Sequence, residues 1–567
     1  MMSPTTRSLA LKKSEIPVQY KYKQGYADGR DYSRAVSNKE SFLVHNGLGY
    51  PDYDRQYRRK PYPYPTDTEE YAPVYENGFL EAQYNPLSTF SIDVDTTAYS
   101  NIRRFLNNGQ LPPADAVRIE EMINYFHYDY PQPKWGKPFS VTTQASHCPW
   151  NPQHYLVQIG IKGKVMSSKK VPPSNLVFLI DVSGSMNQND KLPLLKDSFR
   201  MFIDQLSGNE RVAIVVYSGS ASVVLDSTPG SDKWRIAQAI DNLSAGGSTA
   251  GAAGIHLAYD IAQRNFIKNG NNRVILATDG DFNVGVSSNS ELVRLIEAKR
   301  DNGIFLSILG FGTGNYKDAK MEQIADKGNG NYFYIDSLKE GRKVLVDELG
   351  STIFTIAKDV KLQVEFNPAE VKAYKLIGYE NRALANQDFN DDTKDAGELG
   401  AGHTVTAFYE VIPAVSTAYS TPGVDRLKYQ PTSKAMFINT DLMTVKLRYK
   451  DPQGSSSKLI KSIVHRRDIT NTPSDDFQFA SAVAEFGLLL RNSPYRAGAS
   501  YDHILMRARR YQGTDKNGHK AEFANLVEKA RSLDHRPVYS TPVPYPYPYS
   551  YPEYNGSTDS NINFKGE

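Results

Sequence analysis

The chain has 567 residues, too many for one hydrophobic core, which predicts about three domains. Its net charge is +3, with 23% charged and 40% hydrophobic residues and no basic stripe, a composition ordinary for a soluble globular protein that excludes nucleic acid as the main partner. Cys148 is the only cysteine, so an intramolecular disulfide and a cysteine-rich zinc site are both excluded.

Residues 1–83 are polar, poor in aliphatic side chains and marked by Tyr-Pro repeats such as Pro61-Tyr62-Pro63-Tyr64-Pro65. Such a composition cannot bury enough apolar area to offset chain entropy, so a disordered tail is expected. Residues 536–567 repeat the style, with Pro542 to Tyr554 favouring extended polyproline conformation. Met1 to Pro17 lacks the apolar core of a signal peptide, and no run approaches the ~18 apolar residues of a membrane helix. As written, the sequence reads as soluble and not exported.

Residues 84–173 are expected to hold two helices and then strands. Asp95-Thr96-Thr97 reads as the N-cap of a helix through Leu106, with Gly109 as its stop, and a second helix is expected from about Pro113 to Phe126. The Asp93-x-Asp95 pair is read as capping and turn chemistry rather than as a metal site. Strand patterns follow over 138–164. Residues 174–356 alternate strand and helix, which predicts a doubly wound, mostly parallel α/β sheet. Strands are expected at Leu176–Ile180, Val212–Tyr217, Ser222–Leu225, Val274–Thr278, Phe305–Leu309 and Tyr332–Ile335, with helices between them and a last helix over 338–356. Over 358–466 period-two strands return, as in Val360-Lys-Leu-Gln-Val-Glu-Phe and His403-Thr-Val-Thr-Ala-Phe-Tyr-Glu-Val. Strand-rich pieces thus flank the α/β unit on both sides, which predicts a β-sandwich built from both, with the α/β domain inserted in it. Residues 475–533 read as a helical cap with one apolar face, closing a C-terminal domain over 357–535.

The chemistry concentrates where strands of the α/β unit end. The apolar run Leu176–Ile180 leads into Asp181-Val182-Ser183-Gly184-Ser185, three oxygen-bearing side chains at alternate positions of a tight loop. Open α/β sheets bind ligands at the carboxyl ends of their strands. Two further stretches, Gly246-Gly247-Ser248-Thr249 and Asp279-Gly280-Asp281, can converge on the same edge. Asp181, Ser183, Ser185, Thr249 and Asp279 together offer two carboxylates and three hydroxyls. Hard oxygen donors suit Mg²⁺, with Mn²⁺ or Ca²⁺ as alternatives.

These residues resemble the metal-ion-dependent adhesion site of von Willebrand factor A (VWA) domains. The resemblance extends along roughly residues 84–535. Asn85-Pro-Leu-Ser-Thr-Phe-Ser-Ile-Asp-Val-Asp-Thr is similar to the VWA-associated N-terminal segment of a bacterial VWA family, and Asp359-Val-Lys-Leu-Gln-Val-Glu-Phe-Asn-Pro to its uncharacterised C-terminal domain. The family implies a divalent cation and a protein partner whose Asp or Glu fills an open coordination position. It implies direct metal contact by Ser183 and Ser185, direct or water-bridged contact by Thr249, and charge from Asp181 and Asp279. Gly184, Gly247 and Gly280 would support the loops. Relatives often carry an envelope signal or lipid anchor, which favours the cell envelope. No Gly-x-Ser-x-Gly elbow, His-Glu-x-x-His or phosphate-binding Gly-x-x-x-x-Gly-Lys motif occurs, so no enzyme is expected. The lone His256 is read as a packing or surface residue. The alternatives are an accessory subunit of an ATPase remodelling or metal-insertion complex, by analogy, and a metal-dependent hydrolase.

Overall fold

The computed structural model describes residues 69, 71–166, 172–249, 251–280, 289–313, 317–348, 354–394, 396–416, 440–452 and 454–536. The expected tail residues 1–68 and 537–567 lie outside the described residues. Order extends ahead of Asn85, because strand β1 (Leu80–Glu81) already pairs with the sandwich described below.

Strand β2 (Leu87–Ser91) precedes helix α1 (Thr97–Asn107). The capping reading of Asp95 needs correction. Its Oδ1 accepts from Tyr332 N, 3.0 Å away, and the N-cap residue Thr96 makes no side-chain cap bond. The buried first turn of α1 is satisfied instead by Glu121, whose Oε2 accepts from Thr97 Oγ1 and Ala98 N, both at 2.8 Å. The single helix expected over 113–126 is split into a 3₁₀ turn (Ala114–Ala116) and α2 (Ile119–Asn124), because Val117 and Arg118 are extended. A hairpin of β3 (Phe139–Cys148) and β4 (Asn151–Gly163) follows.

The α/β domain runs β5 (Ser174–Asp181), α3 (Leu192–Gln205), β6 (Glu210–Tyr217), β7 (Ala221–Pro229), α4 (Lys233–Asp241), α5 (Gly251–Arg264), β8 (Asn271–Thr278), α6 (Asn289–Asp301), β9 (Ile304–Phe311), α7 (Asp318–Lys327), β10 (Tyr332–Ile335) and α8 (Leu338–Arg342). Its strands lie in the order β10-β9-β8-β5-β6-β7, parallel except for the antiparallel edge strand β7. Both faces are covered by helices, so β5 and β8 are buried at every residue, as parallel sheets require. Phe178 packs on Phe199 on one face, while Leu179 and Tyr217 pack with Ile255 and Tyr259 on the other. The helix expected through 356 does not reach Thr355. α8 passes into a π-helical turn (Lys343–Glu348), and β11 (Thr355–Phe366) has begun by Thr355.

β12 (Val371–Ile377), β13 (Gly397–Gly400), β14 (Thr404–Pro413), β15 (Asp441–Lys450) and β16 (Ser457–His465) complete two sheets. One is ordered β1-β12-β14-β4-β3; the other is β13-β11-β15-β16, with β2 also on β11. β14 pairs with β4, so strands from both sides of the α/β domain share a sheet, and Val157, Ile161, Leu362, Val364, Tyr409 and Leu447 fill one core between the sheets. A Cβ added at Gly163 would lie 2.9 Å from Ile356 Cδ1, so the chain leaves the sandwich and returns to it side by side. The period-two alternation over 403–411 implies a strand with one solvated face, and this needs correction: all ten residues of β14 are buried. Tyr409 faces the sandwich core, and Phe408 faces the helices that cover the sheet's other side. Those helices are Asp475–Leu490, Tyr501–Arg510 and His519–Leu533. The first is buried almost all round rather than along one face, being wedged between β14, α2 and the other two helices.

Charge is buried where the α/β domain meets its neighbours. Arg382 lies 3.1 Å from Glu322 and 2.6 Å from Asp326 of α7, and Arg118 lies 3.3 Å from Glu322. Glu380 pairs with Arg491 at 2.6 Å. Glu120, Glu121 and Asp318 are buried in the same region. Burial, reinforced by the neighbouring carboxylates Glu380 and Glu121, pushes Glu120 up to about 7 against the pull of Arg491 and Arg118. Burial pushes Glu121 up to about 7 as well, and Asp318 to about 6.

Candidate metal centre

β5 ends in the middle of its sheet, between β6 and β8, so the loop it feeds lies between the loops that follow those strands. Val182 N donates to Tyr217 O at 3.0 Å, holding the first residue after the strand. The loop then meets the glycine-rich turn ahead of α5 through two backbone bonds: Gly246 N donates to Val182 O at 2.8 Å, and Gly184 N to Gly247 O at 3.0 Å. A Cβ at Gly184 would lie 3.4 Å from Gly247 O, so the two loops meet at van der Waals distance. Gly247 and Gly280 hold φ of +83° and +92°, the left-handed region that favours glycine.

Within the loop, Ser183 N donates to Asp181 Oδ1 at 2.8 Å, and the Ser183 and Ser185 hydroxyls lie 3.0 Å apart. Ser183 is buried and Ser185 exposed, so the hydroxyl pair runs from the interior to the surface. Asp181 is fully buried, and its Oδ2 accepts no hydrogen bond of normal geometry, although the Tyr217 hydroxyl is near enough to bear on its charge. Burial pushes the Asp181 carboxyl up to about 6; Ser183 draws it back, and the charge of Asp279 adds to the rise. Asp279 directly follows the neighbouring strand β8 and is buried, with Lys191 Nζ 2.9 Å from its Oδ2.

Asp181, Ser183 and Ser185 thus converge with the 246–249 turn, and Asp279 is close enough to act on Asp181. Thr249 is half-buried on that turn, just ahead of α5. Asp281 lies outside the described residues. His256 is exposed on α5. Sequence reasoning missed Lys191, and it missed the Ser218 and Ser248 hydroxyls, each within 3.4 Å of where a Cβ on the opposing loop would sit. Ser218 follows the strand β6 directly, a position the rule about strand ends covers.

Among the described residues no three His, Cys, Asp or Glu side chains are grouped to hold a metal, so the donor set here is two carboxylates with hydroxyls. A buried carboxylate oxygen with no well-formed hydrogen bond is costly unless a cation offsets it. An oxygen-only set with such a poorly satisfied atom fits a hard divalent ion and not zinc.

An open parallel sheet carrying this loop at its carboxyl edge defines a VWA protein, and the family models agree. Residues 175–346 match the von Willebrand factor type A domain, residues 65–158 the model described as von Willebrand factor, and residues 351–533 the C-terminal domain of the uncharacterised protein YfbK. The YfbK protein of Escherichia coli (strain K12) is 43% identical over 473 residues, spanning 82% of this chain and 81% of that one. The chain belongs to the YfbK family of VWA proteins. An uncharacterised protein of Synechocystis sp. is 27% identical over 184 residues, 32% of this chain and 43% of that protein. Among solved structures, a von Willebrand factor type A protein from Catenulispora acidiphila is similar at 17% identity and a TM-score of 0.37, covering 68% of this chain and 89% of that one. VWA domains mediate protein–protein interaction and are in general not enzymes. Among the described residues no helix is long and apolar enough to cross a membrane.

Proposed function

We propose that the chain is a divalent-cation-dependent protein-binding module, in which Asp181, Ser183, Ser185, Thr249 and Asp279 hold Mg²⁺ and an acidic side chain of a partner completes the shell. The observation that carries this reading is the buried Asp181 carboxylate, whose Oδ2 accepts no hydrogen bond of normal geometry, beside a hydroxyl pair that reaches the surface. Ser183 N fixes the orientation of Asp181 through Oδ1, which leaves Oδ2 for an ion. The bonds between the two loops hold Gly246 and Gly247 against the Asp181 loop, and Thr249 follows on the same turn. When bound, the ion would supply a Lewis-acidic position for an incoming carboxylate. Specificity would then come from the surrounding loop surface.

Calorimetry with MgCl₂ or MnCl₂ on the full chain tests this. A saturable heat is expected that vanishes in Asp181→Asn and in Ser183→Ala while both variants keep the wild-type circular dichroism. Heat retained in both variants, or none in the wild type, would refute the reading. A partner found by affinity capture should be released by EDTA, restored by Mg²⁺ and lost when its own Asp or Glu is neutralised.

A further inference from the structure

We propose that Lys191 is a built-in counter-ion that weakens the site's hold on its metal and makes the loaded site demand an acidic group from outside. The inference rests on the metal reading above and adds a residue that sets its charge.

The Lys191 ammonium lies 2.9 Å from Asp279 Oδ2, with both side chains buried, at 6% and 3% exposure. It is anchored at both ends. Its backbone stands immediately before α3, where Lys191 N donates to Gln188 O at 3.0 Å and Lys191 O accepts from Leu195 N at 2.9 Å. Its stem crosses Gly312, just past β9, which holds φ +76°. A Cβ there would lie 2.7 Å from Lys191 Cγ and closer still to Cε. A bare backbone position is therefore used to pass this one side chain to the edge of the site. A lysine suits the passage, being a compact point charge on a thin stem where a planar guanidinium is broad.

The charges follow simply. Among the described residues, the edge carries the buried side chains Asp181, Asp279 and Lys191, a net charge of −1 with both carboxylates ionised. A divalent ion would take this to +1, and one carboxylate from a partner to zero. Without the lysine the loaded site would already be neutral, and a carboxylate would make it an anion. At an effective dielectric constant of about 20, a unit charge a few ångströms away changes the affinity of an ion by on the order of tenfold or more. Lys191 therefore trades metal affinity for affinity toward an acidic ligand. A purely structural pair, tying the loop after β8 to the start of α3, would affect stability and neither of these affinities.

Water-proton relaxation of bound Mn²⁺ on the full chain reads both quantities, with acetate as the carboxylate probe displacing metal-bound water. Lys191→Gln should bind Mn²⁺ on the order of tenfold more tightly than wild type and need on the order of tenfold more acetate to lose the same relaxation enhancement. Gly312→Ala, which presses on the lysine stem without removing it, should shift both in the same direction and serves if the first variant fails to fold. Unchanged or weaker Mn²⁺ affinity in the folded variants, with acetate acting as on wild type, would overturn the inference and leave the metal reading intact. A wild-type protein that binds no Mn²⁺ would remove the metal reading, and this inference with it.

Discussion

Glu120 offers a sharp test of how the domains are held together. It is buried on α2, and its Oε2 has no hydrogen-bond partner among the described residues. With burial and its acidic neighbours raising it to about 7, the folded protein keeps a proton that the unfolded chain, titrating near 4.3, has released. A group whose folded value is raised contributes full stability below the unfolded value and loses it as pH climbs through the folded one. Between about pH 4.5 and 7 the wild type should therefore lose about 1.4 kcal/mol of stability per pH unit through this residue alone. Glu120→Gln removes the charge and keeps the shape. It should equal the wild type near pH 4.5 and exceed it by about 3 kcal/mol at pH 8. Denaturant unfolding of both proteins in EDTA, at half-unit steps from pH 4.5 to 8, measures the difference directly. The reasoning fails if the difference is independent of pH, or if the variant is the weaker protein at pH 8.

Arg103 reaches from α1 to Asp336 and Glu340 at the end of the α/β domain, the latter at 2.7 Å, and to Glu522 of the C-terminal helices at 3.2 Å. Arg103→Met should cost about 3–5 kcal/mol by stranding Glu340, and a paired Glu340→Gln should recover part of it in a double-mutant cycle. Gly160→Ala would place a Cβ 2.6 Å from Tyr130 Cε1 and should cost about 1–3 kcal/mol by thermal melting, with Tyr130→Leu relieving the clash. Ser185→Ala, at an exposed loop position, should leave the melting temperature in EDTA unchanged yet weaken Mg²⁺ binding by on the order of 10–100-fold in calorimetry. A matching fall in EDTA stability would assign that hydroxyl to the loop and not to the ion.

Much of this was legible because periodicity and strand-end chemistry are local signals. The run ending at Asp181 is apolar at every position, as a strand covered on both faces must be, and the motif it carries is contiguous. The split sandwich was visible too, since period-two patterns on both sides of the α/β unit had to find partners. What escaped was set by distant partners. β2 is a five-residue strand whose register depends on β11, hundreds of residues later. The Lys191–Asp279 pair joins residues 88 apart through a gap left by Gly312, and no spacing rule contains it. The helix expected through 356 fails because Val344 and Leu345 are buried on a backbone that widens into a π-helical turn, and the chain is back in the sandwich as β11 by Thr355. Tertiary cover likewise decided β14, whose alternating pattern hides a strand buried on both sides.

The threading of one domain through another also fixes an order of events during synthesis. β4 leaves the ribosome before any residue of the α/β domain, yet its neighbour β14 is made only after that domain is finished. The inserted unit holds its whole six-stranded sheet within one contiguous segment and can fold as soon as it emerges. Until β14 arrives, β4 has only β3 beside it and presents an open edge to any other nascent strand. Early folding of the insert shortens that interval of risk: it draws the two ends of the host together, as the Gly163–Ile356 approach shows, and converts a distant pairing into a nearby one.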